Sequence, residues 1–324
     1  MHVVVTGGAG FIGSHVVDAL LDRGLTVSVI DNLTTGHVSN LENARRHGAR
    51  LHRVDVRDTA LVRGLLAAER PAIVVHLAAQ VDVRTSVDDP ALDADVNVLG
   101  TISMLEAARA AGAQRFVLAS SGGAVYGDRV ALPTSETART RPMSGYGQSK
   151  LSAENYLALY TRLHGLSTVA LRFANVYGPR QRSSGEGGIV AILCERARNG
   201  DLTRVFGDGL QTRDFVYVSD VVDAVLAATT SRATGALNIG TGTETSVRRL
   251  VDLLGEVTGK PVRTRRAPAR PGEVLRSCLD PSRAGRVLGW EARTPLTEGI
   301  RRTYEAAVPE LTVPGPAVTA STGR

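Results

Sequence analysis

Short apolar runs rich in Val and Ile alternate with helical patterns along the first half of the chain, and this alternation constrains the fold more than any other feature. "HVVVTG" leads into a helical stretch from Phe11 to Arg23, followed by "TVSVI", "ARLHRVDV", a helical stretch from Thr59 to Glu69, "AIVVHLAA", a helical stretch from Asp88 to Ala111, and "QRFVLASS". Runs that are apolar throughout suit strands covered on both faces, and strand-helix-strand order puts them in a parallel sheet. The expected class is α/β, a doubly wound parallel sheet with a smaller C-terminal domain. The pattern continues through the helix after Tyr146 and the strand "TVALRFANVYG", then breaks at "PRQRSSGEGG", where Pro179 and the glycines punctuate the chain. Residues 1–177 therefore read as the sheet domain and 178–308 as the second domain. "RDFVYVSDVVDAVLAAT", near 213–230, reads as a return to the sheet, so the two interleave. No internal repeat is present, and the segment 309–324 has no apolar period and is expected to be disordered.

A chain of 324 residues with 43% hydrophobic content can bury a large core. Cys194 and Cys278 lie far apart in no metal-binding or disulfide spacing and read as small buried apolar groups, so no metal is expected and a reducing compartment fits best. Met1-His2 runs straight into "VVVTGGAGF", and no apolar stretch is long enough to span a bilayer, so a soluble cytoplasmic protein without a membrane partner is expected. The net charge of +6 comes from scattered basic residues, dense only in "RTRRAPAR" (Arg263 to Arg270), which argues for a solvated surface and against nucleic acid as a partner. Lys150 and Lys260 are the only lysines. Nearly all the positive charge is therefore arginine, whose planar fork suits phosphate oxygens.

Two constellations carry chemistry. In "TGGAGFIGSH", Gly7, Gly10 and Gly13 follow an apolar strand and open an amphipathic helix, letting backbone amides and a helix N-terminus approach a pyrophosphate, as in a Rossmann fold. The next strand ends in Asp31, whose carboxylate can accept from a ribose 2'-hydroxyl and would repel a 2'-phosphate, so NAD is favoured over NADP. Asp55, closing the third strand, faces either the adenine or solvent. In "YGQSK", Tyr146 and Lys150 are four apart and share one helix face. An ammonium near a phenol stabilises the phenolate and lowers the tyrosine pKa, which would make Tyr146 a general base.

"TGGAGFIGSH", "HLAAQVDVRTS", "SSGGAVYG", "YGQSK", "LRFANVYGPRQ" and "RDFVYVSDV", in this order, resemble the extended short-chain dehydrogenase/reductase (NAD-dependent epimerase/dehydratase) family, and within it most closely the UDP-glucose 4-epimerases. The resemblance runs from Met1 to about Tyr304. It implies an NAD-binding domain followed by a UDP-sugar-binding domain, with Phe11, Ile12, Asn32, Val56, Leu77, Ala78, Ala79, Asn97 and Phe173 lining the cofactor beside the residues already named. It implies Tyr146 as base, Lys150 on the nicotinamide ribose, and a serine hydroxyl bridging to sugar O4. Such enzymes hold NAD tightly, take a hydride from C4 to give a 4-keto sugar, rotate it, and return the hydride to the opposite face.

One loop departs from the common family pattern. The active hydroxyl usually lies four residues before the tyrosine of "VYG", a place held here by Gly122. Ser121 is the nearest candidate, delivered by a backbone that the glycine pair lets bend, and Ser120 is the fallback. Related dehydratases and decarboxylases carry acids just before "VYG", where this chain has Gly123 and Ala124. Without a carboxylate to shuttle a second proton, elimination lacks its acid and base, which points to epimerisation. The resemblance further implies that Asn175, Arg213 and Arg270 hold the nucleotide diphosphate. Ser277 matches a gate position where small residues admit N-acetylated sugars. UDP-GlcNAc, UDP-glucuronate or a UDP-pentose remain alternative substrates, and a non-catalytic NAD-sensing or RNA-binding relative is a further alternative. The resemblance also implies a homodimer through the helices near Val96 to Ala110 and Leu151 to Leu163, with Leu99, Leu105, Leu157 and Leu159 either contacts there or simply core residues.

Overall fold

The computed structural model describes residues 1–128, 130–183, 188–269 and 274–306. The first strands and helices follow the expected alternation: β1 (His2–Thr6), α1 (Phe11–Asp22), β2 (Thr26–Ile30), the short α2 (Glu42–Arg46), β3 (Arg50–His52), α3 (Thr59–Glu69) and β4 (Ile73–His76). Two short helices follow, α4 (Val83–Asp88) and α5 (Pro90–Ala94), then a π-helical turn (Asp95–Leu99) that runs into α6 (Gly100–Ala110). Next come β5 (Arg115–Ser121), the single turn α7 (Gly122–Val125), α8 (Gly145–His164) and β6 (Ser167–Phe173). The later elements include β7 (Asn175–Tyr177), α9 (Ile189–Asn199), β8 (Thr203–Phe206), β9 (Thr212–Arg213), β10 (Phe215–Tyr217), α10 (Val218–Thr230) and β11 (Gly235–Ile239).

Seven of these strands form one parallel sheet in the order β11-β6-β5-β4-β1-β2-β3. The order reverses beside β1, so the carboxyl ends of β1 and β4 flank a crevice of the kind that binds ligands in open α/β sheets. The strands are apolar throughout because both faces are covered. Along β1, Val3 and Val5 enter one core with Val17, Leu20 and Leu171, while Val4 enters the other with Val74, Phe116, Leu105 and Leu157. This fold class is the one expected.

Two local expectations are corrected. The third strand stops at His52, so Asp55 lies in the turn beyond it and does not close the strand. The sheet's last strand is β11, beyond the 213–230 segment expected to return. Within that segment, β10 pairs with β7 in a separate two-stranded sheet, and α10 packs on α1. Of the leucines left open between dimer contact and core, Leu105 and Leu157 are core residues at 0% and 2% exposure, because the faces of α6 and α8 that carry them cover the sheet. Leu99 is 57% exposed and Leu159 half-buried. The expected tail, 309–324, lies outside the described residues. No helix among the described residues is long and apolar enough to cross a membrane. Cys194 and Cys278 are both free and buried.

A buried polar network ties α8 to β6 and to the segment after α7. Arg172 on β6 forms a fork with Glu154 on α8, with Nη2 to Oε2 at 2.6 Å, and both side chains are buried. Ser120 donates to Glu154 Oε1 at 2.5 Å, Arg172 Nη1 donates to the Tyr126 hydroxyl at 2.8 Å, and that hydroxyl donates to Asn238 Oδ1 on β11 at 2.8 Å. A buried charge without its partner is costly. Arg172→Leu should therefore lower the unfolding free energy by about 3–5 kcal/mol, measured by urea denaturation.

Candidate active site

The cofactor half of the site is built from backbone. Gly7 has φ +68, and a Cβ there would sit 2.7 Å from the Ala78 amide nitrogen; a Cβ on Gly13 would sit 2.1 Å from the Gly7 carbonyl oxygen. The β1–α1 turn thus closes to a depth that only hydrogen side chains permit, and it lies directly against the segment after β4. Gly10 caps α1 with no side-chain hydrogen bond, so Phe11, Ile12 and Gly13 begin the helix with the amides that a pyrophosphate needs. Asp31 is buried at the end of β2, where its Oδ2 accepts from the Ala9 amide at 2.9 Å and its Oδ1 from Leu33 at 2.8 Å. Each carboxylate oxygen retains a lone pair for a ribose hydroxyl.

The other expected cofactor residues divide by what they touch. Asn32 donates to Asp55 at 2.8 Å, and Arg57 grips Asp55 through its backbone amide and two guanidinium nitrogens, holding that carboxyl far below its ordinary range. The Asp55 carboxylate therefore has protein partners on both oxygens. Val56 and Phe173 are buried in the two cores. Leu77 and Ala78 donate to the Thr6 hydroxyl, which meets Nδ1 of the buried His76 at 2.7 Å. Burial holds His76 neutral, its pKa down to about 3. Asn97, expected to line the cofactor, spends its amide on shaping the loop after β4: Oδ1 accepts from the Gln80 amide and Nδ2 donates to the Gln80 carbonyl, both at 2.9 Å.

The candidate reacting residues meet where β5 ends and α8 begins. Ser144 caps α8 by accepting from the Gly147 amide at 3.1 Å. A Cβ on Gly145 would lie 2.3 Å from the Ser86 carbonyl oxygen and one on Gly147 2.6 Å from that of Ala124, so the first turn of α8 is wedged between α4 and α7. That wedge sets Tyr146 beside Ser121, whose hydroxyl hydrogen-bonds the phenol. Lys150, one turn on, is buried, donates to the Ala119 carbonyl at 3.0 Å, and lies 5.7 Å from the Tyr146 ring centre.

The electrostatics correct one expectation. Burial pushes the Tyr146 phenol up to about 12, opposed by the hydrogen bond from Ser121 and reinforced by the charge of Asp93. Burial likewise pulls Lys150 down to about 8, opposed by Asp93 and Glu154. Within the protein alone, desolvation outweighs the hydrogen bond from Ser121, the group that lowers the phenol.

The glycine pair also has a different reason from the one expected. Gly122 and Gly123 lie in the helical turn α7, not in a left-handed bend. A Cβ on Gly122 would be 2.5 Å from Leu279 Cδ1, whereas one on Gly123 would meet only Asn175 Oδ1, at 3.9 Å. Ser121 caps this turn without using its hydroxyl, which leaves that group for Tyr146. Ser120, the fallback, is committed to Glu154.

The region expected to hold substrate is organised by a residue that sequence reasoning missed. Asp214, 1% exposed, accepts from the Thr241 amide and hydroxyl and from the Gly242 and Leu279 amides. Its carbonyl accepts from the Asn175 amide at 2.9 Å. It therefore gathers Asn175, the Leu279 segment and its own neighbour Arg213, while the Ser277 amide donates to the Thr212 carbonyl at 3.3 Å. The signal available in the sequence was its place in "TRDF", beside a candidate phosphate-binding arginine. Arg270 lies outside the described residues. Among the described residues no group of three or more His, Cys, Asp or Glu side chains is placed to hold a metal ion.

The family model described as GDP-mannose 4,6 dehydratase matches residues 4–303. The chain belongs to the NAD-dependent epimerase/dehydratase family. It is 46% identical to a UDP-glucose 4-epimerase of Mycolicibacterium smegmatis, over 94% of this chain and 98% of that one. Among solved structures it resembles a Thermotoga maritima UDP-glucose 4-epimerase with UDP-glucose (TM-score 0.91, 44% identity, 94% of this chain and 98% of that one). It also resembles a Thermus thermophilus UDP-glucose 4-epimerase complexed with NAD (TM-score 0.89, 43% identity, 95% and 100%). The cofactor is NAD, and the glycine cradle and Asp31 fit it. Gly13→Ala should purify with less than about a tenth of the wild-type NAD, since the added methyl collides with backbone that cannot yield; chromatography of the nucleotide released on denaturation measures this.

Proposed function

We propose that this enzyme inverts C4 of a UDP-hexose, interconverting UDP-glucose and UDP-galactose through a transient 4-keto sugar. The observation that carries the reading is the meeting of Ser121, Tyr146 and Lys150 beside a turn, Gly122–Val125, that bears no acid. Bound NAD supplies a hydride acceptor that becomes the donor on the return step. The chain's own residues manage the proton. Tyr146 takes the proton of O4 through or beside the Ser121 hydroxyl as the C4–H bond breaks, and gives it back when C4 is reduced from the other face. Lys150 holds a positive charge next to the phenol and toward the ribose. With Gly123 and Ala124 where an acid or base for elimination would stand, a second proton transfer at C5 or C6 has no side chain to perform it.

Asn175, Arg213 and Arg270 are proposed to grip the diphosphate, for which arginine's fork is suited. The small Ser277 leaves space beside the sugar, so UDP-GlcNAc is the alternative substrate that this reading admits most readily, ahead of UDP-glucuronate or a UDP-pentose. A homodimer is proposed through the outer edge of α8 and the turn before α6, where Leu99 (57%), Tyr156 (36%) and Leu163 (66%) are exposed. Light scattering should give twice the chain mass, and a monomer at micromolar concentration would reject the assembly.

Purified protein without added cofactor should convert UDP-galactose to UDP-glucose, followed by NMR. Tyr146→Phe should keep its NAD and lose about 10²- to 10⁴-fold in kcat. Turnover of UDP-GlcNAc but of neither plain hexose would move the assignment to the N-acetylated sugar.

A further inference from the structure

Asp93 is a fully buried carboxylate that the proton transfers described above do not use. It sits on α5, which packs against α8, the helix that carries Tyr146 and Lys150. Its Oδ1 accepts from Gln80 Nε2 at 2.9 Å and Asn97 Nδ2 at 3.0 Å, so the carboxyl plane is held from the loop after β4 and from the π turn. Its Oδ2 is buried and meets no hydrogen-bond donor among the described residues. A carboxylate oxygen withdrawn from water with no donor is destabilised unless a positive charge lies in range.

We propose that Asp93 is the fixed counter-charge of the Tyr146–Lys150 pair, a positioning residue that keeps the Lys150 ammonium charged inside the site and keeps the proton on the phenol until substrate arrives. The charged and titratable groups around Lys150 support this division. His76, on β4, is neutral and brings no compensating charge; its own pKa is lowered by burial and by Lys150. Glu154, on α8 itself, favours the ammonium but is already bound by Arg172 and Ser120. Tyr146 is neutral, and Ala119 offers only a carbonyl. Asp93 alone among these is a carboxylate with an oxygen to spare, and its field acts on both members of the pair, raising Lys150 and raising Tyr146. The same anchor explains the tie to the cofactor loop, because Gln80 and Asn97 hold Asp93 and each other.

The proposal builds on the reading of Tyr146 and Lys150 as the reacting pair, but its test does not require turnover. Lys150 and Lys260 are the only lysines, so protein labelled with [¹³C]lysine gives two Cε signals, one from a buried side chain and one from an exposed one. In the wild type the buried signal should titrate near pH 8. In Asp93→Asn, which preserves the shape and the acceptor for Gln80 and Asn97, that midpoint should fall by about one unit or more while the Lys260 signal stays in place. Where epimerisation is measured, both limbs of the kcat/KM pH profile should move to lower pH, since removing the carboxylate lowers Lys150 and Tyr146 alike. If Asp93→Asn does not fold, Asp93→Ser gives the same reading with a smaller neutral side chain. A Lys150 midpoint that stays in place in a folded variant overturns the proposal. A moved midpoint in a protein that epimerises no UDP-sugar leaves it standing and overturns the functional reading instead.

Discussion

Arg172 and Glu154 meet inside the molecule, and what the site needs from three chain segments passes through that contact. Glu154 belongs to α8, one turn beyond Lys150; Arg172 belongs to β6, next to the strand that ends in Ser121; and Tyr126, held by Arg172, closes the turn after α7. A buried pair gains little over an apolar substitute but tolerates no half-measure, since either charge alone is stranded. The consequence is geometric. Ser120 is drawn to Glu154, so the next residue on the strand, whose side chain points the other way, presents Ser121 to the phenol. Asn238 extends the same network to β11 and, through its amide, to the Thr134 carbonyl, joining the sheet to the segment that carries Leu279.

The two halves of the site are held by opposite means. The cofactor half depends on missing atoms: Gly7 and Gly13 let backbone approach backbone, and no side chain occupies the start of α1. The half proposed to bind substrate depends on one buried carboxylate, Asp214, whose burial raises its pKa and whose four donors offset that cost. Between them stands the first turn of α8, wedged by Gly145 and Gly147 against α4 and α7. Asp93 extends the idea to charge, set behind the pair where water does not screen it.

Local signals were legible where they repeat a short-range rule. The glycine turn, the strand-end Asp31 and the four-residue spacing of Tyr146 and Lys150 each follow from contacts a few residues apart, and each stands where the pattern placed it. The errors came where distant segments decide. Leu105 and Leu157 stayed open between partner and core because helical spacing shows that a face is apolar but not what covers it; both are spent on the sheet. Gly122 looked like a hinge, whereas its reason is Leu279, more than 150 residues away. Asn97, read as a cofactor contact, also fastens Gln80, a role that only the folded chain shows. Asp93 gave no signal and Asp214 only its place beside Arg213, because a buried carboxylate is recognised by its donors, and those come from segments that sequence order separates.

The sequence by itself determined the fold class, the nucleotide-binding turn and the pairing of Tyr146 with Lys150 on one helix face, because strand burial, glycine conformation and helical periodicity act over short stretches of chain. Only the tertiary structure decided which serine faces the phenol, what tunes the phenol and the lysine, and which leucines remain on the surface. Those outcomes depend on desolvation and on contacts between remote segments, and neither quantity exists until the chain has closed on itself.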